Sequence, residues 1–301
     1  MAKTDLKKRL QQGVFILDGG MGSQLIAREV QVSQCNDYLS MEAPDTIKAI
    51  HADYFNAGSD AVITNSFGAN GISLAKYNLA DQSTDLCRIA AENARAVAGD
   101  ARYILGDIGP CGEFIEPLGL TKPADLKQAF MEQARGLLAG GVDGFIVETM
   151  TALEEMTLAL EAVMSLDSGL PVFGSMAFDH LPVGFRTIMG VDVTTAVETL
   201  VDAGVDALGF NCGTASLGEY VSLARAFVDA VAATGKDVLI YAEPNAGKPE
   251  VVDGDVIYKV TPEEFSSAIE TMHGLGIRIF GGCCGTGPEH IRAVAQVLNH
   301  R

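Results

Sequence analysis

The sequence predicts a single (β/α)8 barrel, a TIM-barrel fold, and three observations carry that prediction. Eight short apolar runs of strand length alternate with eight longer segments of helical pattern along the 301 residues. Three helices enter the next strand through one kind of junction: Ala57-Gly58-Ser59-Asp60, Ala139-Gly140-Gly141-Val142-Asp143 and Ala203-Gly204-Val205-Asp206. In each, glycine supplies a left-handed helix cap and aspartate leads into the strand. No Gly-x-Gly-x-x-Gly fingerprint follows the first strand, which argues against the alternative, an open doubly wound sheet. No linker or composition shift divides the chain, so residues 1–301 read as one domain.

The elements follow in order. Met1–Gln12 reads as a polar, Lys-containing helix. The strands are Val14–Leu17, Asp60–Thr64, Tyr103–Gly106, Gly144–Val147, Pro171–Ser175, Ala207–Phe210, Val238–Tyr241 and Ile277–Phe280. Most are continuously apolar rather than alternating, as parallel strands covered by helices require. The helices between and after them are Ala43–Ala57, Ser83–Ala98, Pro123–Ala139, Ala152–Ser165, Val193–Ala203, Leu217–Ala233, Pro262–His273 and Pro288–Leu298. Several open with proline or a capping residue, as in Thr121-Lys122-Pro123 and Thr261-Pro262-Glu263-Glu264.

Composition narrows the function class. The chain is 48% hydrophobic and 20% charged, the profile of a folded globular protein. Its formal charge of −18 would repel nucleic acid and anionic membrane surfaces, so neither is expected as a partner. Solubility and attraction to a basic protein patch explain that charge equally well. No export signal and no run of about 18 apolar residues appears, which points to the cytoplasm. Thiols there stay unpaired, as core residues, nucleophiles or metal ligands.

In a barrel of this kind chemistry sits where strands end and βα loops begin. Those positions hold Asp18-Gly19-Gly20-Met21-Gly22, Asn65-Ser66-Phe67, Asp107-Ile108-Gly109-Pro110, Glu148-Thr149, Met176-Ala177-Phe178, Asn211-Cys212-Gly213, Glu243-Pro244-Asn245 and Gly281-Gly282-Cys283-Cys284-Gly285-Thr286. Cys283 and Cys284 are adjacent and flanked by glycines, and Cys212 ends a strand two strands away. Three thiolates suit a tetrahedral zinc site with one open position, which would hold a substrate thiol as a nucleophilic thiolate. Three small buried residues or a vicinal disulfide remain alternatives. Hydrolytic zinc sites favour histidine and carboxylate, and no His-Glu-x-x-His occurs. Asp18 and Glu148 are candidates to accept hydrogen bonds from a substrate ammonium, with the amides of Gly19, Gly20 and Met21 cradling a carboxylate. The alternative is that Asp18 caps the following turn and Glu148 is paired inside the rim. Cys35, Cys87 and Cys111 read as packing thiols, and His51, His180, His273, His290 and His300 as surface or helix residues.

Taken together, Asp18-Gly19-Gly20-Met21-Gly22, Glu148-Thr149, Gly209-Phe210-Asn211-Cys212 and Gly281-Gly282-Cys283-Cys284-Gly285-Thr286 resemble the homocysteine S-methyltransferase family. That family includes betaine-homocysteine methyltransferase and the homocysteine-binding module of cobalamin-dependent methionine synthase. The match covers nearly the whole chain, and the Asn-Cys and Gly-Gly-Cys-Cys-Gly-Thr motifs are specific. The resemblance implies zinc at Cys212, Cys283 and Cys284, where it activates homocysteine sulfur. It also implies that Asp18 and Glu148 hold the amino group, and that Gly19, Gly20 and Asn211 help orient the substrate.

The methyl donor is less defined. A betaine cation wants aromatic faces, best from Trp, and the chain has no Trp, although 7 Tyr and 13 Phe remain. The segment from Asp107 to Gly119 resembles the corresponding loop of methionine synthase modules, which favours methylcobalamin or another methylcorrinoid. The Asp-x-His-x-x-Gly cobalamin signature is absent; in Asp179-His180-Leu181-Pro182-Val183-Gly184 the histidine stands one place early. The corrinoid is therefore expected on a separate protein, or the chain is a module of a larger synthase, since one barrel takes up all 301 residues. Donors of the S-methylmethionine or betaine type, and a non-catalytic thiol-binding or metal-sensing role, are the alternatives.

Overall fold

The computed structural model describes residues 3–248, 250–252 and 255–299. Met1 and Ala2 of the expected leading helix, and His300, lie outside the described residues. The barrel strands are β1 (Phe15–Ile16), β2 (Ala61–Ile63), β3 (Tyr103–Ile108), β4 (Gly144–Met150), β5 (Val172–Met176), β6 (Ala207–Asn211), β7 (Leu239–Glu243) and β8 (Ile279–Phe280). The barrel helices are α1 (Pro44–Ala57), α2 (Ser83–Ala98), α3 (Pro123–Ala139), α4 (Leu153–Met164), α5 (Val193–Ala203), α6 (Leu217–Thr234), α7 (Pro262–Gly274) and α8 (Pro288–Asn299). The strands pair in parallel in the order β1-β8-β7-β6-β5-β4-β3-β2, which gives the expected eight-stranded barrel, nearly closed.

The recurring helix-to-strand junctions do more than turn the chain. Gly58, Gly141 and Gly204 all take positive φ, and the aspartate after each reaches back to the preceding strand. Asp60 Oδ2 accepts from Ile16 N (2.9 Å), Asp143 Oδ2 from Ile104 N (2.8 Å) and Asp206 Oδ2 from Val172 N (2.9 Å). Each carboxylate thus satisfies a backbone donor of β1, β3 or β5. Between β1 and β2, which form no regular ladder, Asp60 N also donates to Ile16 O (2.7 Å) and Ile63 N to Asp18 Oδ2 (3.0 Å). Side chains therefore complete the barrel at this seam.

The expected N-terminal helix forms over Leu6–Leu10. It caps the bottom of the barrel, with Leu6 and Leu10 buried in one cluster with Phe15, Leu17, Leu105, Phe173 and Tyr241 of the barrel interior. Its polar flanks carry Lys3, Lys7 and Arg9, which pair with Asp143 (2.6 Å), Asp206 (3.1 Å) and Asp60 (3.1 Å), the three junction carboxylates. A larger apolar cluster fills the layer between strands and helices.

At the opposite rim the βα connections contain elements too short to show a period in sequence. These are the helices Met21–Ala27, Leu39–Glu42 and Gly71–Ala75, and the antiparallel hairpins Asp179–Leu181/Gly184–Arg186 and Glu250–Val252/Asp255–Ile257. Several polar residues expected just after strands lie within them instead: Asp107 in β3, Glu148 and Thr149 in β4, Asn211 in β6 and Glu243 in β7. Of the histidines, His51 and His290 are buried in helices, whereas His180 stands in a rim hairpin and meets Glu219 at 3.0 Å. Among the described residues no helix is long and apolar enough to cross a membrane.

Candidate functional site

Cys212, Cys283 and Cys284 converge at the rim, brought there by β6 and β8. Cys212 Sγ and Cys283 Sγ each lie 3.9 Å from Cys284 Sγ, and all three sulfurs fall within 4.8 Å of one another. A disulfide needs about 2.05 Å, so no vicinal bond joins Cys283 to Cys284, and all six cysteines are free. Tetrahedral zinc with Zn–S of about 2.3 Å places its sulfurs about 3.8 Å apart, so the spacing fits three ligands of one ion. Cys35, Cys87 and Cys111 stay outside the cluster.

The local backbone explains this convergence. Cys212 has φ +55°, a turn that directs the chain sharply out of β6, and its carbonyl accepts from the Tyr220 hydroxyl (2.6 Å). The Asn245 side chain joins the two ligand loops, donating to Gly213 O (2.7 Å) and accepting from Cys284 N (3.0 Å). Cys283 N donates to Pro244 O (3.0 Å), and Gly282 N to Asp18 O (2.9 Å). Gly20 passes so close to this loop that a Cβ on it would stand 2.6 Å from Cys283 O. Hydrogen bonds from the Cys212 and Cys283 thiols hold Cys284 down at about 3, and the same sharing pushes Cys283 up. One negative charge is thus easily formed by the cluster.

The thiols form one wall of a cavity of about 430 Å³. Its other walls carry Asp18, Asp37, Asp107, Glu148 and Glu243, with no Lys, Arg or His among its lining residues. Asp18 Oδ1, Asp107 Oδ1 and both Glu243 carboxylate oxygens are buried without a hydrogen-bond partner among the described residues. Burial raises the carboxyls of Asp18, Asp107 and Glu243, and burial together with the Cys284 charge pushes Glu148 up to about 8. Such a chamber is matched to a cationic group.

The structure brings every site residue expected from sequence into this region, but three of them already have work within the protein. Asp18 is divided: Oδ2 holds the β1–β2 seam, while Oδ1 stays unpartnered. Gly19 and Gly20 line the cavity, but Gly20 N already donates to Thr286 Oγ1 (3.1 Å) and Thr286 O (3.2 Å). Its amide is therefore not a free carboxylate donor, a correction to the expected cradle. Asn211 lies behind the cavity wall and is saturated. Its Oδ1 accepts from Thr149 N (2.9 Å) and Ser175 Oγ (2.8 Å), and Nδ2 donates to Glu148 Oε2 (3.0 Å) and Thr149 Oγ1 (2.7 Å). Asp107 and Glu243 are visible in sequence as rim residues without a role, because a strand-end carboxylate shows neither its burial nor its lack of a counter-charge.

Comparison with known proteins matches residues 15–298 to the model of a family described as homocysteine S-methyltransferase. A methionine synthase of Mycobacterium tuberculosis is 34% identical over 315 residues, covering 98% of this chain and 25% of the relative. A methionine synthase of Mycobacterium leprae is 32% identical, with the same 98% and 25% coverage. The chain thus spans a quarter of the length of these relatives. Among solved structures, the metallated form of the homocysteine methyltransferase MmuM from Escherichia coli superimposes with a TM-score of 0.79 at 21% identity, covering 98% of this chain and 100% of that one. At that identity the likeness concerns the fold.

Proposed function

The chain belongs to the homocysteine S-methyltransferase family, and we propose accordingly that it methylates the thiol of homocysteine to give methionine, using zinc at Cys212, Cys283 and Cys284. The observation that carries this reading is one cavity with three convergent thiols on one wall and unpaired buried carboxylates on the others. It suits an amino acid with a sulfur at one end and an ammonium at the other.

When bound, zinc supplies the Lewis acidity that keeps the substrate sulfur a thiolate at neutral pH. The chain's own groups do the rest. Glu148 and Asp18 Oδ1 accept from the substrate ammonium, and Asn211 fixes the Glu148 carboxylate. Gly19 and Met21 supply backbone donors for the substrate carboxylate. This grip aims the sulfur at the donor's methyl carbon, which transfers to sulfur as the donor departs.

The donor in this reading is a methylcorrinoid carried by a separate protein or module. Two observations support it: the named relatives are methionine synthases with three quarters of their length outside this match, and Phe67 is the lone aromatic residue among the cavity's lining residues, too little for a cage around a betaine cation. Six free thiols suit a reducing compartment, the cytoplasm.

The test supplies homocysteine with methylcobalamin, S-methylmethionine or betaine and measures methionine by mass spectrometry. Methionine from methylcobalamin alone supports the corrinoid donor; formation from S-methylmethionine or betaine replaces it, and no transfer from any donor favours a thiol-binding role. Cys284→Ala is expected to lose both stoichiometric zinc and turnover. Retention of both would overturn the ligand assignment.

A further inference from the structure

We propose that Tyr54 is a positioning residue that fixes the span between the two ends of the cavity, and so selects an amino-acid thiol of homocysteine's length over its shorter homologue, cysteine. This rests on the reading that substrate is gripped by the thiol cluster at one end and by Asp18, Glu148 and the backbone of Gly19 and Met21 at the other. Two of the loops that carry these grips stand on neighbouring strand ends. β1 leads into residues 18–21 and β8 into residues 283–286, and regular pairing between the two strands stops at Ile16 and Phe280. Tyr54 lies behind the cavity on α1, fully buried and not among the lining residues. Its hydroxyl reaches both loops at once, donating to Gly20 O (3.2 Å) and Thr286 O (3.1 Å). One hydrogen is thus shared between carbonyls 266 residues apart in sequence.

Thr286 completes the tie. Its Oγ1 accepts from Gly20 N (3.1 Å) and donates to Cys283 O (2.6 Å), the carbonyl between the two adjacent cysteines. The glycines of the first loop fit around this clamp. A Cβ on Gly19 would stand 2.8 Å from Thr286 Oγ1 and 3.0 Å from the Tyr54 hydroxyl oxygen, so no side chain has room there. A trans peptide holds its N–H opposite its carbonyl, and a Gly20 carbonyl pinned to Tyr54 therefore turns Met21 N away from Tyr54. That amide is one of the donors assigned to the substrate carboxylate. The one hydroxyl thus sets both the direction of a substrate-holding group and its distance from the cysteine loop. With the distance fixed, a thiol one methylene shorter cannot satisfy both ends; with it loosened, the loops can approach each other and the shorter ligand is penalised less.

The test measures, by calorimetry on zinc-loaded wild type and Tyr54→Phe, the binding of homocysteine, cysteine and 2-mercaptoethanol, which offers a thiol alone. The Phe variant keeps the buried ring, and both carbonyls keep a second donor: Gln24 N for Gly20 O (3.2 Å) and Gly20 N for Thr286 O (3.2 Å). It is therefore expected to fold and to take up one equivalent of zinc. Wild type is expected to prefer homocysteine to cysteine by roughly 10- to 200-fold, the range for one methylene in a fitted site. In Tyr54→Phe that ratio should shrink roughly 2- to 10-fold, the effect of one hydrogen bond, with the affinity for 2-mercaptoethanol unchanged. Equal wild-type affinity for the two amino acids, or an unchanged or larger ratio in Tyr54→Phe, overturns the proposal and leaves the homocysteine reading intact. So does a parallel weakening of all three ligands, or loss of zinc, in Tyr54→Phe, since the hydroxyl then supports the cysteine loop and not the span. Failure of zinc-loaded wild type to bind homocysteine overturns the functional reading and this proposal with it.

Discussion

Among single residues, Asn211 joins the two chemical halves of the cavity. It lies next to Cys212 in sequence and bonds Glu148 and Thr149 across the barrel, and Thr149 is held at φ +61°. Asn211→Ala is expected to leave Glu148 without its partner and to raise KM for homocysteine roughly 10- to 100-fold, read by steady-state kinetics. Glu148 itself gives a pH signature. Since burial and the Cys284 charge push it up to about 8, it is mostly protonated in the free protein at pH 7. An ammonium favours its carboxylate, so binding releases a proton below about pH 8, and affinity climbs with pH up to that point. Methionine, which has no thiol proton, isolates this effect. Calorimetry in two buffers of different ionisation heat should show proton release that Glu148→Gln abolishes. The cysteines, Asp18 and Glu148 are legible in sequence because strand ends of a barrel face one rim. That Asn211 bonds Glu148 is not, since a hydrogen-bond partner on another strand leaves no trace in local spacing.

Among elements, the junction aspartates and the leading helix form one device. Asp60, Asp143 and Asp206 complete backbone bonding at the barrel floor, and Arg9, Lys3 and Lys7 neutralise them while Leu6 and Leu10 fill the opening. Leu10→Ala should therefore destabilise the protein by about 2–5 kcal/mol, seen as a lower denaturation midpoint, with little effect on KM because the site is at the other rim. In sequence the junctions and the polar helix stand as separate features. Their pairing requires the fold, because Lys3 and Asp143 are far apart in the chain. The barrel helices are legible from caps and period, whereas the rim hairpins and short helices are not: three to seven residues are too few to establish a period.

Across the molecule, a metal held by Cys212, Cys283 and Cys284 would tie the ends of β6 and β8 directly to each other, where the backbone connects them only through β7. Under the proposed ligand set, metal binding would contribute to folding, and at a free metal concentration about 1,000-fold above Kd the expected gain is about 4 kcal/mol. Chelation should lower the melting temperature, and restored zinc should recover it; a Cys284→Ala variant should show no such response. The −18 charge is not all on the surface: Asp18, Asp37, Asp107, Glu148 and Glu243 line one cavity with no Lys, Arg or His among its lining residues. The alternation of strands and helices, the rim on which chemistry gathers and the three thiols can all be read from the chain, because periodicity, caps and motif spacing are local properties. The spacing of those sulfurs cannot, nor can the choice of carboxylates buried without partners or the division of Asp18 between seam and cavity. These depend on distances and desolvation between segments remote in sequence, which exist only once the barrel has closed.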